Sequence, residues 1–280
     1  MKDEQCVRFL QWALPQLHMR WPGFCKVRKQ VCKRVDARMR NLRLAGIDEY
    51  EAYLQDHADE WVELDALCRI TISRFYRDQG VFVTLQQRVL PALAQQALER
   101  GDTRLRVWSA GCGSGEEPYT LAVLWATELQ SKFPRLSIDI VATDADPNMM
   151  RRAGDACYKF GSLKNMPESW LNRAFELERD NYCLKPEYKR CVQLLEQDIR
   201  QERPGRRFDL VLCRNLVFTY FDEALQLEHL KRIVNAMHDG ASLVIGIHEN
   251  LPEGAEGLSV WFDEQRIYRK NNDVVDPQGA

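Results

Sequence analysis

The sequence predicts an α/β protein: a doubly wound, Rossmann-like sheet preceded by an all-helical domain and carrying a small β-subdomain as an insertion. Three observations carry that expectation. Residues 4–70 show helical periodicity and no strand pattern. From Leu105 onward, short apolar runs alternate with amphipathic segments, the rhythm of βαβ units. The first of those runs passes straight into the glycine-rich turn Gly111-Cys-Gly-Ser-Gly115.

Taken in order, segments 6–17, 27–42, 47–54 and 58–68 are the expected helices of the first domain, with turn signals at Gly46 and His57. Around Asp78-Gln-Gly80 the pattern changes, and 81–100 reads as a further helix. Then come strand 105–109, helix 116–130, strand 137–142, helix 147–155, strand 209–213, helix 222–237 and strand 241–247. Between 154 and 207 the rhythm breaks. There, 163–175 reads as a short helical stretch around Pro167, and 182–184 and 191–195 as strands flanking Lys185-Pro-Glu, a hairpin signal. The expected division is a helical domain over 1–78, a ligand-binding domain over 79–270 with the β-subdomain at about 176–195, and a flexible tail over 271–280.

A chain of 280 residues has room for one large core and a second, smaller one. It contains no apolar run of membrane-spanning length, and its start, Met1-Lys-Asp-Glu-Gln, lacks the apolar middle of a secretory signal. A cytoplasmic protein without membrane insertion is expected. The nine cysteines are scattered without a Cys-x-x-Cys pair, which suggests neither a disulfide framework nor a zinc knuckle. Histidines 18, 57, 229, 238 and 248 show no ligand spacing and adjoin no nucleophile, so no metal is expected. The net charge of −2 hides one basic stretch, residues 20–43, with nine Lys or Arg against Asp36 alone. A solvated helix face, an acidic protein surface and nucleic acid all suit such a run. Aromatics occur only at its start, as Trp21 and Phe24, which weighs against nucleic acid.

The chemistry-bearing segment is Val107-Trp-Ser-Ala-Gly-Cys-Gly-Ser-Gly-Glu-Glu-Pro-Tyr119. Gly111, Gly113 and Gly115 permit positive φ and let a ligand lie against bare backbone, while the helix that follows offers unpaired N–H groups. Glu116 and Glu117 would repel a pyrophosphate and suit a ligand that carries an ammonium and a sulfonium, as S-adenosylmethionine (SAM) does. About thirty positions on, the next strand runs into Asp144, an acid placed to accept ribose hydroxyls. Together the two elements point to a SAM or dinucleotide site.

Three more segments bear on it. Ile70-Thr-Ile-Ser-Arg-Phe-Tyr-Arg-Asp78 reads either as a capped connection or as a lid that puts Ser73 and Arg77 over the cofactor, with Arg77 offering a fork to a carboxylate. The strand 209–213 runs into Arg214 and Asn215, followed by the aromatic turn that holds Tyr220. Glu196-Gln-Asp-Ile199 reads as a loop acid, or as Asp198 and Ile199 meeting an adenine. His248-Glu249 is either a strand-end pair lining the crevice or a solvated loop.

With these segments in order, the chain resembles the CheR type of SAM-dependent methyltransferase, the enzymes that esterify glutamate side chains of bacterial chemoreceptors. The likeness runs from Tyr50-Glu-Ala-Tyr-Leu through Thr71-Ile-Ser-Arg-Phe-Tyr-Arg-Asp78, the glycine segment, Ala142-Thr-Asp144 and Cys213-Arg-Asn215 to Ile267-Tyr-Arg-Lys270. It implies SAM as cofactor, held by Thr71, Ser73, Arg77, Gly111, Gly113, Glu116 or Glu117, Asp144, Asp198, Ile199, Arg214, Asn215 and Leu216. Arg77 and Tyr220 are the implied catalytic pair. Thr71 stands where the family has Asn, Asp198-Ile199 where it has Asn-Leu, and the Tyr220 loop is one residue longer than the common form.

The resemblance implies O-methylation of protein glutamates, with the basic helix 27–42 set against an acidic helical receptor. The departures keep open a small-molecule acid, thiol or amine as acceptor, and also a SAM-binding module without catalysis.

Overall fold

The computed structural model of the protein describes residues 2–272, so the tail expected over 271–280 lies outside the described residues from 273 on. The chain divides into two compact units. One comprises residues up to Ile72 together with Leu216–Gln226, and the other Ser73–Asn215 together with the residues from Leu227 on. Among the described residues, no helix is long and apolar enough to cross a membrane.

The first unit is helical: α1 (Asp3–Ala13), α2 (Trp21–Phe24), α3 (Arg28–Leu42), α4 (Ile47–Asp56) and α5 (Ala58–Cys68). Cys6, Phe9, Leu10 and Ala13 recur at helical spacing on α1 and are all buried, and Val31, Val35 and Met39 form the same kind of stripe on α3. The basic charge of α3 is partly used inside this unit. Arg28 pairs with Asp3, Arg34 donates to the carbonyls of Leu67 and Arg69, and Arg38 holds both oxygens of Glu60 at 3.0 and 2.7 Å. Glu60 is 4% exposed. Burial pushes its pKa up, but Arg38 and the Tyr50 hydroxyl outweigh that and hold the carboxyl below its ordinary range.

The second unit is built on a seven-stranded sheet. Its strands, numbered along the chain with three others, are β1 (Arg104–Ala110), β2 (Ser137–Asp144), β3 (Cys157–Tyr158), β4 (Phe175–Glu178), β5 (Asn181–Leu184), β6 (Val192–Glu196), β7 (Phe208–Leu212), β8 (Met237–Val244), β9 (Leu258–Phe262) and β10 (Ile267–Lys270). The sheet order is β6-β2-β1-β7-β8-β10-β9. From β6 to β8 all pairings are parallel, as the α/β alternation predicts. The last two strands pair antiparallel, a hairpin absent from the expected element order.

Strand β7 is buried along its whole length, the pattern of a central parallel strand covered on both faces. Its one charge, Asp209, accepts from Arg100 and from the Arg106 backbone N–H at 2.8 Å. The helices of this unit are α6 (Gln79–Thr84), α7 (Leu90–Glu99), α8 (Glu116–Leu124), α9 (Pro147–Asp155), α10 (Phe160–Leu163), α11 (Glu168–Ala174) and α12 (Pro186–Lys189). A short α13 (Val217–Tyr220) falls in the first unit, and α14 (Glu223–Asn235) follows it. All residues of α8 but Glu117 are buried, because it packs against the sheet on one side and α11 and α12 on the other.

Two expectations for 176–195 are corrected. The hairpin is β4–β5, turning at Arg179-Asp180 with Arg179 at φ 55°, and Lys185-Pro-Glu instead opens α12, where a proline fits the first turn. Residues 192–196 join the edge of the main sheet as β6, leaving β3-β5-β4 as the small sheet. The cysteines are also not all unpaired: Cys6 is disulfide-bonded to Cys32, and Cys157 to Cys183. Each pair is 26 positions apart in sequence and becomes adjacent only once α1 meets α3, or β3 meets β5.

Candidate active site

Strand order reverses between β1 and β7, and in such a sheet the ligand crevice opens outside the carboxyl ends there. The glycine turn lies at that point. Gly111, Gly113 and Gly115 all have positive φ, at 76°, 56° and 91°. At Gly115 a Cβ would meet the Tyr119 ring at 2.8 Å and the Ala153 Cβ at 3.2 Å, so the position excludes larger residues. The turn is laced to the tip of β2: Gly111 and Cys112 N–H donate to the Thr143 carbonyl at 2.8 and 2.9 Å, and Gly113 N–H donates to Asp144 Oδ2 at 2.8 Å. The other oxygen of Asp144 accepts from Asp146 N–H at 2.9 Å. Burial, with Asp144 and Glu117 nearby, pushes the Cys112 thiol well up, so it stays protonated and is no nucleophile.

The two glutamates after the turn face different ways. Glu116 is 3% exposed, and its carboxylate accepts from the hydroxyls of Ser114 at 3.0 Å and Ser162 at 3.2 Å. Glu117 accepts from the Ser109 hydroxyl at 2.8 Å and from Arg214 Nη1 at 3.1 Å. The other nitrogen of that fork, Arg214 Nη2, donates to the Asp78 carboxylate and to the Arg77 carbonyl at 3.3 Å. Arg214 is 8% exposed, and its guanidinium stands 5.6 Å from the Phe82 ring centroid. One buried cation thus joins the end of β7, the start of α8 and the segment 73–78.

That segment is anchored by aromatics. Phe75 meets Tyr158 and Phe175 edge-on, while Tyr76 lies against Phe82 and Trp170. Tyr76 N–H donates to the Thr120 hydroxyl at 3.2 Å, and Phe75 N–H to the Ser162 carbonyl at 3.0 Å. Tyr76 and Asp78 hold left-handed backbone, φ 55° and 59°, on either side of Arg77. The Arg77 side chain is 38% exposed, with Nε 3.9 Å from the Asp78 carboxylate.

Asn215 is left-handed as well, at φ 57°, and its N–H donates to Glu249 Oε2 at 3.0 Å. The same oxygen accepts from Gly246 N–H. Gly246 has no room for a Cβ, which would lie 2.5 Å from the Asn215 side-chain nitrogen. Glu249, 3% exposed, therefore clamps the ends of β7 and β8, whereas its neighbour His248 is exposed. Glu249→Ala leaves one buried and one half-buried N–H group without their acceptor and is expected to destabilise the protein by about 2–4 kcal/mol. A thermal melt checks this; a midpoint within about 2 °C of wild type would mean the clamp is incidental.

The remaining predicted residues are dispersed. Asp198 is held by its own neighbour Arg200, Nη2 at 2.6 Å, and Ile199 lines a cavity of about 190 Å³ with Trp108 and His229. Ser73 is half-buried in the second unit. Thr71, Leu216 and Tyr220 belong to the first unit, where the Tyr220 ring lies 5.0 Å from Phe24 and its carbonyl accepts from Arg20 N–H at 2.8 Å. Sequence reasoning missed Asp78 as a partner of the buried fork and Ser109 as a partner of Glu117, and left Glu249 undecided. An acid two residues past a strand end was the available signal for Glu249.

Residues 71–266 match the profile of the CheR methyltransferase SAM-binding domain. A chemotaxis protein methyltransferase of Listeria innocua is 30% identical over 208 residues, covering 74% of this chain and 76% of that protein. A probable chemotaxis protein methyltransferase of Rhizobium etli is 30% identical over 228 residues, covering 79% of this chain and 84% of that protein. An uncharacterised 104.1 kDa protein of Rhodobacter capsulatus is 31% identical over 241 residues, and there the match covers 85% of this chain but 25% of the relative.

Proposed function

Because the chain belongs to the CheR methyltransferase family, we propose that it methylates glutamate side-chain carboxylates of a receptor-like protein. It is a SAM-dependent methyltransferase, and SAM is its cofactor. The acceptor class is supported by the chemotaxis methyltransferases the chain is similar to, and the choice of cofactor by the charge at the strand ends. Asp78, Glu117, Asp144 and Glu249 gather there with Arg77 and Arg214, and Glu116 is buried at the same turn, so carboxylates outnumber guanidiniums. That balance fits a ligand with a sulfonium and an ammonium and disfavours a pyrophosphate. The glycine turn fits it too, since positive φ leaves bare backbone beside Asp144.

In this reading Asp144 and Glu117 hold the cofactor, which supplies an electrophilic methyl group, while Glu116 acts as a buried brace for the turn. Arg77, partly exposed at the end of a pinned loop, orients the acceptor carboxylate, and Tyr220 is the second residue assigned to catalysis. A glutamate carboxylate is already ionised at neutral pH and needs no general base. The enzyme's task is then alignment and exclusion of water. The exposed Lys29 and Lys33 of α3 would meet an acidic helical partner. A cytoplasmic place of action goes with this reading.

Incubation with methyl-labelled SAM and either purified receptor or a metabolite extract tests the acceptor class. Label in a base-labile protein ester supports the proposal; label in a low-mass fraction, or none in either, contradicts it. Arg77→Ala should lower turnover about 10–100-fold, the worth of one charge-assisted contact. Unchanged turnover at intact SAM affinity would remove that role from Arg77.

A further inference from the structure

The small sheet carries chemistry that methyl transfer does not use. Cys157 on β3 stands directly opposite Cys183 on β5. The neighbouring Leu184 N–H donates to the Ala156 carbonyl at 2.9 Å, which makes Cys157 and Cys183 the closer, non-hydrogen-bonded kind of cross-strand pair. On the other side of β5, Glu176 faces Cys183 and Glu178 faces Asn181. Strand alternation therefore puts both cysteines and both glutamates on one face of the sheet, with Tyr158, Tyr182 and Leu177 on the other. The two sulfurs and a carboxylate oxygen of Glu178 lie within 4.8 Å of one another. Among the described residues, no other group of three His, Cys, Asp or Glu ligand atoms is gathered this closely. Cys157 and Glu178 are exposed and Cys183 is buried, so the group is open to solvent on one side only.

We propose that Cys157, Cys183 and Glu178 form a binding site for a zinc-class divalent metal ion, available when the cysteines are thiols and abolished by their disulfide. Two thiolates and one carboxylate are a zinc donor set, and the open side leaves a fourth position for water. Tetrahedral zinc with bonds of about 2.3 Å needs its sulfurs about 3.8 Å apart, a separation that facing cross-strand side chains reach by rotation about χ1. Thiolate donors also select such an ion over magnesium or calcium. The oxidised pair becomes competent by exchange with a dithiol reductant. The cystine takes up two electrons and two protons to give two thiols, and the reductant leaves as its own disulfide. Metal binding then displaces the two thiol protons and forms two metal–sulfur bonds and one bond to Glu178.

The test uses the whole protein, reduced with dithiothreitol, desalted without oxygen and titrated with Co²⁺ alone. One equivalent should bring up sulfur-to-cobalt charge-transfer absorption, and Zn²⁺ should bleach it. The band should be absent from the oxidised protein and from Cys157→Ser and Cys183→Ser, retained in Cys25→Ser and Cys191→Ser, and Glu178→Gln should weaken Co²⁺ binding about tenfold or more. Unchanged near-ultraviolet circular dichroism of Cys157→Ser shows that the fold is kept. A band that survives in either site variant, or no band when thiol titration finds the pair reduced, overturns the proposal; undiminished affinity in Glu178→Gln removes that ligand.

Discussion

Arg214→Met should destabilise the protein by about 3–5 kcal/mol, because it leaves the carboxylates of Glu117 and Asp78 facing each other without the cation that lies between them. For a domain of this size that is a fall of roughly 10 °C in the melting midpoint. The loss exceeds that of an exposed ion pair since the Arg214 side chain is 4% exposed and both of its nitrogens at the fork are engaged. Arg214→Lys keeps the charge but not the fork, and should fall between the two. Methyl transfer should be lost with the methionine variant even below its melting point, because the start of α8, the end of β7 and the segment bearing Arg77 no longer share one anchor. A Met variant that melts within about 2 °C of wild type would show that the bridge contributes little.

The second large effect is expected at Asp144. Its carboxylate fixes Gly113 and Asp146 and, in the proposed function, also accepts the cofactor's ribose hydroxyls. Asp144→Ala removes two charge-assisted contacts to the ligand, about 3 kcal/mol together, and should raise the Michaelis constant for SAM about 100-fold. Stability should fall less, because the turn keeps its bonds to the Thr143 carbonyl. Glu116→Gln serves as the contrast. Its carboxylate is engaged by Ser114 and Ser162, so the variant should lose stability while the Michaelis constant stays within about threefold of wild type. The reverse pattern, a normal constant in Asp144→Ala and a large rise in Glu116→Gln, would exchange the roles assigned to these acids.

What was legible in the sequence was what local periodicity and glycine chemistry encode. The α/β alternation located every parallel strand of the main sheet except β6, and the glycines of 111–115 marked the turn where the strand order reverses. The rest depended on partners far apart in the chain. The β9–β10 hairpin and the conversion of 192–196 from hairpin to sheet edge follow from pairing choices that no single segment displays. The β4–β5 turn escaped notice because Arg179 and Asp180 occupy it where glycine or asparagine would have signalled it. Tyr76, Asp78 and Asn215 take left-handed backbone despite their side chains, and it is these residues that aim Arg77 and the end of β7. The basic stretch 20–43 read as one electropositive face, yet Arg28, Arg34 and Arg38 are drawn into partners of their own unit.

On the proposed function, the carboxylate-ringed glycine turn takes a cationic methyl donor and not a dinucleotide. Calorimetric titration of the unaltered protein with SAM and, separately, with NAD⁺ addresses it most directly. SAM should bind saturably at one site per chain, and NAD⁺ should give no heat beyond dilution. Binding of NAD⁺ at that site, or no binding of SAM, would contradict it.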